Sequence, residues 1–200
     1  MEHIFFDAKD GVRLEGLWHR KANAPAAVIT HPHPLYGGTM NNYVLDIMES
    51  AFLEKGYATL RFNFRGVGKS SGTYSDGTGE IDDVIGALSF AAENGAERII
   101  LAGYSFGAWV NAHLPRQAQS PEIIMVSPPV AMMDFSDISA LPSLKLIVTG
   151  ENDEIAPPDG IKRLIPLWNP SATLRVIENG DHFFGTTLPA LKKILKENEE

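Results

Sequence analysis

The chain has no cysteine among its 200 residues. Disulfides, thiolate metal sites and a cysteine nucleophile are therefore excluded. That absence fits a reducing compartment, and a cytoplasmic location is the expectation. Positive charge is also scarce: 17 lysines and arginines face 25 aspartates and glutamates, a net charge of −8. This argues against nucleic acid or an anionic membrane surface as the partner. No stretch approaches the ~18 apolar residues of a membrane span. The opening "MEHIFFDAKD" lacks the apolar core of a signal peptide. The chain is nonetheless 44% apolar, which suits one globular domain over residues 1–200 with a full-sized core.

The apolar pattern alternates between two periods. "HIFFD" (3–7) and "VRLEGLWHR" (12–20) flank Asp10-Gly11, a hairpin signal. "AAVITH" (26–31) reads as a strand that ends in a Pro/Gly-rich loop. Helical spacing follows at 44, 45, 48, 52 and 53, with Asn41 or Asn42 as cap and Gly56 as stop. Strands are then expected at 57–64, 98–104, 122–127, 144–150 and 173–179. Helices are expected at 79–95, after 105, and at the C-terminal end, with a short helical piece broken by Pro166. Three acids, Glu80, Asp82 and Asp83, fall in the first turn of the 79–95 helix, where the dipole favours them. The reading is an α/β class chain: a mostly parallel eight-stranded sheet with helices on both faces. Its chemistry belongs at the carboxyl ends of the strands.

Two pentapeptides fit Gly-x-Ser-x-Gly, "GKSSG" at 68–72 and "GYSFG" at 103–107. The first also resembles a phosphate-binding loop, but that motif needs glycine at position 63, which is Asn. It should run into a helix, and "SGTYSDGTG" is all turn formers. A nucleophile elbow needs a strand before the serine and a helix after it. Ser105 has both, and the flanking glycines remove side chains that would collide with neighbouring elements. Ser70 and Ser71 read as turn residues.

A serine nucleophile needs a base, and the base needs an orienting carboxylate. His182, in "NGDHFFG" at the carboxyl edge, is the base candidate among six histidines. Asp153, in "TGENDEIAPP", is the acid candidate, with Asp134 and Asp137 as rivals. The oxyanion requires fixed donors. The Phe106 NH is one; Pro32 and Pro34 have none to give, which leaves His33 or Leu35 for the other, with His33 preferred. His31-x-His33 could begin a metal site, but the text continues "PLYGG" without further ligands, so no metal and no cofactor are expected.

Taken in order, "HPHPLYGG", "RFNFRGVGKSSG", "GYSFG", "GENDEIAP" and "GDHFF" make the whole chain resemble an α/β-hydrolase. The likeness is to small bacterial hydrolases with a His-Pro-His-Pro loop, relatives of dienelactone-hydrolase-like and acyl-hydrolase proteins. The resemblance implies Ser105, Asp153 and His182 as a catalytic triad, and it makes "RGVGKSSG" a glycine-shaped loop after the fourth strand. Many relatives carry a lid after the sixth strand; Ser127 to Leu141 is too short for one. Tyr36, Tyr104, Phe106, Phe183 and Phe184 are the candidate apolar walls. An open pocket buries few methylenes, so short acyl or aryl esters or thioesters are the expected substrates. The expected partner is a small-molecule ester, not nucleic acid or membrane. Oligomeric state is not encoded in any readable feature.

Overall fold

A computed structural model describes residues 1–115 and 120–197. The strands are β1 (Glu2–Asp7), β2 (Arg13–His19), β3 (Ala26–Thr30), β4 (Ala58–Phe62), β5 (Ile99–Tyr104), β6 (Glu122–Val126), β7 (Leu144–Gly150) and β8 (Thr173–Ile177). They form one eight-stranded sheet in the order β1-β2-β4-β3-β5-β6-β7-β8. β2 runs antiparallel to β1 and β4, and every other pairing is parallel. All five residues of β3 and of β4 are buried. That is why these strands read as unbroken apolar runs: both of their faces are covered.

The helices are α1 (Tyr43–Glu54), α2 (Thr78–Glu93), α3 (Phe106–Ala112), α4 (Pro158–Trp168) and α5 (Leu188–Glu197). Val44, Leu45, Met48 and Phe52 of α1 join Leu191 and Leu195 of α5 in the core of one face. Val84 and Ala87 of α2 with Val110 of α3, and Ile161 of α4 with Ala108, fill the other. Asn42 caps α1 by accepting the Val44 NH at 2.9 Å. The chain passes from β3 outward to β4 and then returns beyond β3 to β5. That reversal opens a crevice between the carboxyl ends of β3 and β5.

Two local expectations are corrected. Pro166 does not break its helix, because α4 continues through it to Trp168. The proline deprives only the Lys162 carbonyl of a partner, and both residues are exposed, so water can meet that carbonyl. The acids of α2 do more than face a dipole. Glu80 folds back to accept the Gly77 and Ser75 NH groups, at 2.8 and 3.0 Å. Asp83 is fully buried and holds Arg65, while Asp82 reaches Lys9 at the surface.

Candidate active site

Ser105 stands between β5 and α3 with φ 53° and ψ −118°. This left-handed backbone is the sharp turn that lifts a side chain clear of the sheet. The flanking glycines are required by contact. A Cβ on Gly103 would lie 2.5 Å from the Ala108 nitrogen, and one on Gly107 would lie 2.5 Å from Thr30 Oγ1.

His182 Nε2 is 3.0 Å from Ser105 Oγ, and His182 Nδ1 is 2.9 Å from Asp153 Oδ2. The three side chains thus form one hydrogen-bonded line across 77 residues of sequence. With Nδ1–H donated to the carboxylate, Nε2 is the atom left to accept from the serine. All three are buried, Ser105 at 8%, His182 at 6% and Asp153 at 2% exposure. Burial alone would raise the Asp153 carboxyl. The His182 ring and the Ala156 NH outweigh it and hold the group below the ordinary aspartate value. Ile155 and Ala156 donate their NH groups to its Oδ1 at 2.9 and 2.7 Å, which fixes the carboxylate. The turns that carry Asp153 and His182 meet glycine to glycine. A Cβ on Gly150 would sit 2.3 Å from the Gly180 carbonyl oxygen. The Tyr104 hydroxyl donates to the His182 carbonyl at 3.0 Å and steadies that turn.

The rival acids stand elsewhere. Asp134 is exposed and accepts the Ser136 NH, and Asp137 meets His113 at 3.1 Å.

The loop after β3 forms a short 3-10 turn, Pro34–Tyr36, capped by His33. His33 O accepts the Tyr36 and Gly38 NH groups, at 3.1 and 3.0 Å. Gly38 is required here, since a Cβ would lie 2.0 Å from Pro32 O. The Leu35 NH donates to His33 Nδ1 at 3.2 Å. Of the two donors left open by the sequence, Leu35 is thereby engaged. The backbone NH groups of His33 and Phe106 have no protein acceptor among the described residues.

Above Ser105 lies a cleft of about 420 Å³. Tyr36, Tyr43 and Phe183, all exposed, line it together with Pro129, Met132, Met133 and Ile155. Tyr36 and Phe183 are rim residues at 80% and 57% exposure, as their loop positions imply. Tyr104 reaches the cleft only from its floor, at 2% exposure. Phe184 is not a wall: it is fully buried and packs with Tyr104 in the core. The sequence reading missed Tyr43 and the two methionines. Tyr43 left a signal, because it opens a helix at the carboxyl edge and lies outside that helix's buried stripe. The methionines left none beyond their place in a loop at that edge.

The remaining singled-out residues hold the scaffold. His31 is fully buried, with Nδ1 2.6 Å from Pro32 O and Nε2 accepting the Phe64 NH at 3.0 Å. Desolvation pushes its pKa down to about 4, so the ring is neutral. Both of its nitrogens are occupied, and both of His33's are too. No group of three or more histidine, aspartate or glutamate side chains among the described residues is placed to share a metal ion. No helix among the described residues is long and apolar enough to cross a membrane.

A sheet of this order, an elbow on its fifth strand and no cap between Ser127 and Leu141 define the protein as an α/β-hydrolase of the serine-hydrolase type. The chain belongs to the X-Pro dipeptidyl-peptidase (S15) family, whose pattern matches residues 10–142. It is 37% identical over 197 residues to an uncharacterised protein of Rickettsia prowazekii, covering 92% of this chain and 82% of that one. Its fold matches an α/β serine hydrolase homologue from Coxiella burnetii with a TM-score of 0.90, at 34% identity over 100% of this chain and 97% of the other. An α/β serine hydrolase without a lid from Xanthomonas campestris matches with a TM-score of 0.87, at 30% identity over 98% and 92% of the two chains.

Proposed function

We propose that this chain hydrolyses short acyl or aryl carboxylic esters or thioesters through Ser105, His182 and Asp153. The observation that carries the reading is the unbroken line Ser105 Oγ–His182 Nε2 and Nδ1–Asp153, at 3.0 and 2.9 Å, beneath an open cleft. Ser105 attacks the carbonyl carbon while His182 Nε2 takes its proton. The oxyanion that forms is met by the Phe106 and His33 NH groups. Collapse expels the leaving group, which receives the proton from His182. Water then attacks the acyl-enzyme with the same ring as base. Asp153 stays ionised and stabilises the imidazolium in both steps.

The family name raises a second reading, cleavage of X-Pro peptides. A dipeptidyl-peptidase must hold a free amino terminus, and that ammonium calls for a carboxylate or a ring of acceptors. The cleft lining contains no aspartate or glutamate. Its aromatic, methionine and proline side chains favour a neutral acyl or aryl group instead.

Fluorophosphonate labelling followed by peptide mapping tests the nucleophile, with the Ser105 peptide expected to carry the label. A panel of p-nitrophenyl esters, thioesters, lactones and a Gly-Pro anilide tests the substrate class. Activity should fall as the acyl chain lengthens past the cleft. Faster turnover of the anilide than of the acetate ester would replace this reading with the peptidase one.

A further inference from the structure

The proposed reaction uses the backbone of His33 and leaves its imidazole without a part, yet that ring is held from three sides. Its Nδ1 accepts the Leu35 NH at 3.2 Å. An accepting Nδ1 carries no proton, so the neutral ring bears its hydrogen on Nε2 and donates it to the Tyr74 hydroxyl at 3.2 Å. The ring faces Phe106 and Tyr36, both 4.8 Å away between centroids, and Tyr74 at 5.2 Å. One side chain therefore ties together the turn that carries the second oxyanion donor, the loop between β4 and α2, and the residue that supplies the first donor.

We propose that His33 is a positioning residue whose neutral ring clamps the oxyanion turn and whose protonation releases it. The proposal rests on the ester-hydrolase reading above and adds its acid-side regulation. A proton on Nδ1 converts the acceptor of the Leu35 NH into a second donor aimed at it. The cap is lost and two hydrogens face each other. The turn must then shift, and the His33 NH shifts with it, away from the place where charge develops on the substrate oxygen.

The groups that bear on this equilibrium come from every side. Burial disfavours the charged ring, and the Glu80 and Asp76 carboxylates near the start of α2 oppose it. Tyr36 and Tyr74 contact the ring, and the buried His31 interacts with it electrostatically. The balance lowers the His33 pKa below the ordinary histidine value, so the clamp is closed at neutral pH and opens only in acid.

Two variants and one spectrum test this. His33→Ala removes the clamp at every pH and should lower kcat/KM for p-nitrophenyl acetate by roughly 10- to 100-fold at pH 7.5, the range for a misplaced oxyanion donor. His33→Asn offers an amide oxygen to the same Leu35 NH and should recover most of that loss. A merely structural role would not predict the pH behaviour. Protonation of His33 adds a roughly 10- to 100-fold loss to whatever the rest of the protein loses in acid. Log kcat/KM of the unmodified protein should therefore fall that much further below its neutral value than log kcat/KM of His33→Asn, which has no ring there to protonate. Nitrogen-15 NMR should find the neutral His33 ring protonated at Nε2, with the Leu35 amide proton shifting along the same titration curve. Equal activity of His33→Ala and the unmodified protein, an Nδ1-protonated ring, or superimposable acid limbs for His33→Asn and the unmodified protein would each overturn the clamp. Failure of the ester reading looks different: the unmodified protein would turn over no ester and take no fluorophosphonate label. The NMR titration would still decide whether His33 holds the turn.

Discussion

Two segments of this chain share a five-residue pattern and have opposite surroundings. In "GYSFG" Ser105 takes φ 53° at a strand-to-helix junction, and its hydroxyl meets the His182 ring. In "GKSSG" the Ser70 hydroxyl accepts the Glu15 NH at 2.9 Å and donates to the Asn63 carbonyl at 2.7 Å. The first hydroxyl sits opposite the His182 ring at the floor of a cleft. The second has its donor and an acceptor position filled by backbone, and it stitches the loop after β4 to β2. The lesson is that Gly-x-Ser-x-Gly specifies a tight turn, and the flanking elements decide whether the turn aims its serine outward or inward. In the second segment glycine serves the loop: Gly66, Gly68 and Gly72 all have positive φ.

The contrast is broken most sharply at Ser105. Ser105→Ala should lower kcat/KM for p-nitrophenyl acetate by at least about 10³-fold, since a lost nucleophile exceeds the loss of a single oxyanion donor. The midpoint of urea unfolding should barely move, because the hydroxyl contributes one bond at the edge of a cleft. Retained activity with a labelled Ser70 peptide would reverse the assignment of the two segments.

Arg65, at the root of the "GKSSG" loop, gives the next effect. It donates to Asp83 through its backbone NH, Nε and Nη2 at 2.9, 3.0 and 2.7 Å, and to Asp10 through both terminal nitrogens. Asp83→Ala leaves a buried guanidinium short of its main partner and should destabilise the fold by about 3–5 kcal/mol. Urea unfolding measures it. A loss below about 1 kcal/mol would mean that water reaches Arg65 and that this loop is not anchored from α2.

How much of this was readable from the residues depends on where each residue sits. Ser105, Asp153 and His182 lie at the ends of strands, and strand periodicity places those ends on one edge of the sheet. Their meeting follows from topology that the alternation of strand and helix already implies. The His31 and His33 rings behave differently. They lie two residues apart in one loop, yet one turns inward to Phe64 and the other toward Tyr74, because the partners come from chain more than thirty residues away. No local pattern encodes such directions. The same holds for Met132 and Met133 at the cleft, and for Asp83, which looked like a dipole partner until Arg65 was brought against it. Pro166 misled for the opposite reason: a rule about buried helix interiors was applied to a turn that faces water.

His31 ties the loop after β3 to the loop after β4 through the Phe64 NH, and its effect is a function of pH. Its folded-state pKa of about 4 lies below the free histidine value, so unfolding takes up a proton between those limits. The sign follows: the unfolded chain binds more protons there, and stability falls as pH falls through that window and is level above it. From pH 7 to pH 4 the loss from this one group should be about 3 kcal/mol. Urea midpoints across that range check it against His31→Gln, whose profile should be flatter by that amount. Parallel profiles would mean that the His31 ring is wetter or better paired than its burial implies.

The smallest effect closes the comparison, because it must separate stability from chemistry at the second serine. Ser70→Ala removes both hydrogen bonds of the hydroxyl and leaves the Glu15 NH and the Asn63 carbonyl without that partner. Each orphaned buried group costs about 1–3 kcal/mol, but Ser70 is 8% exposed and water can enter where the hydroxyl was. A net loss of about 1–2 kcal/mol is expected from the urea midpoint. Turnover per folded molecule should change by less than about threefold, since no atom of Ser70 reaches His182. If kcat falls with the stability unchanged, then the stitch from β2 to the loop acts on the cleft, and the route runs through Asn63, whose side chain accepts the Met40 NH beyond the loop that follows β3.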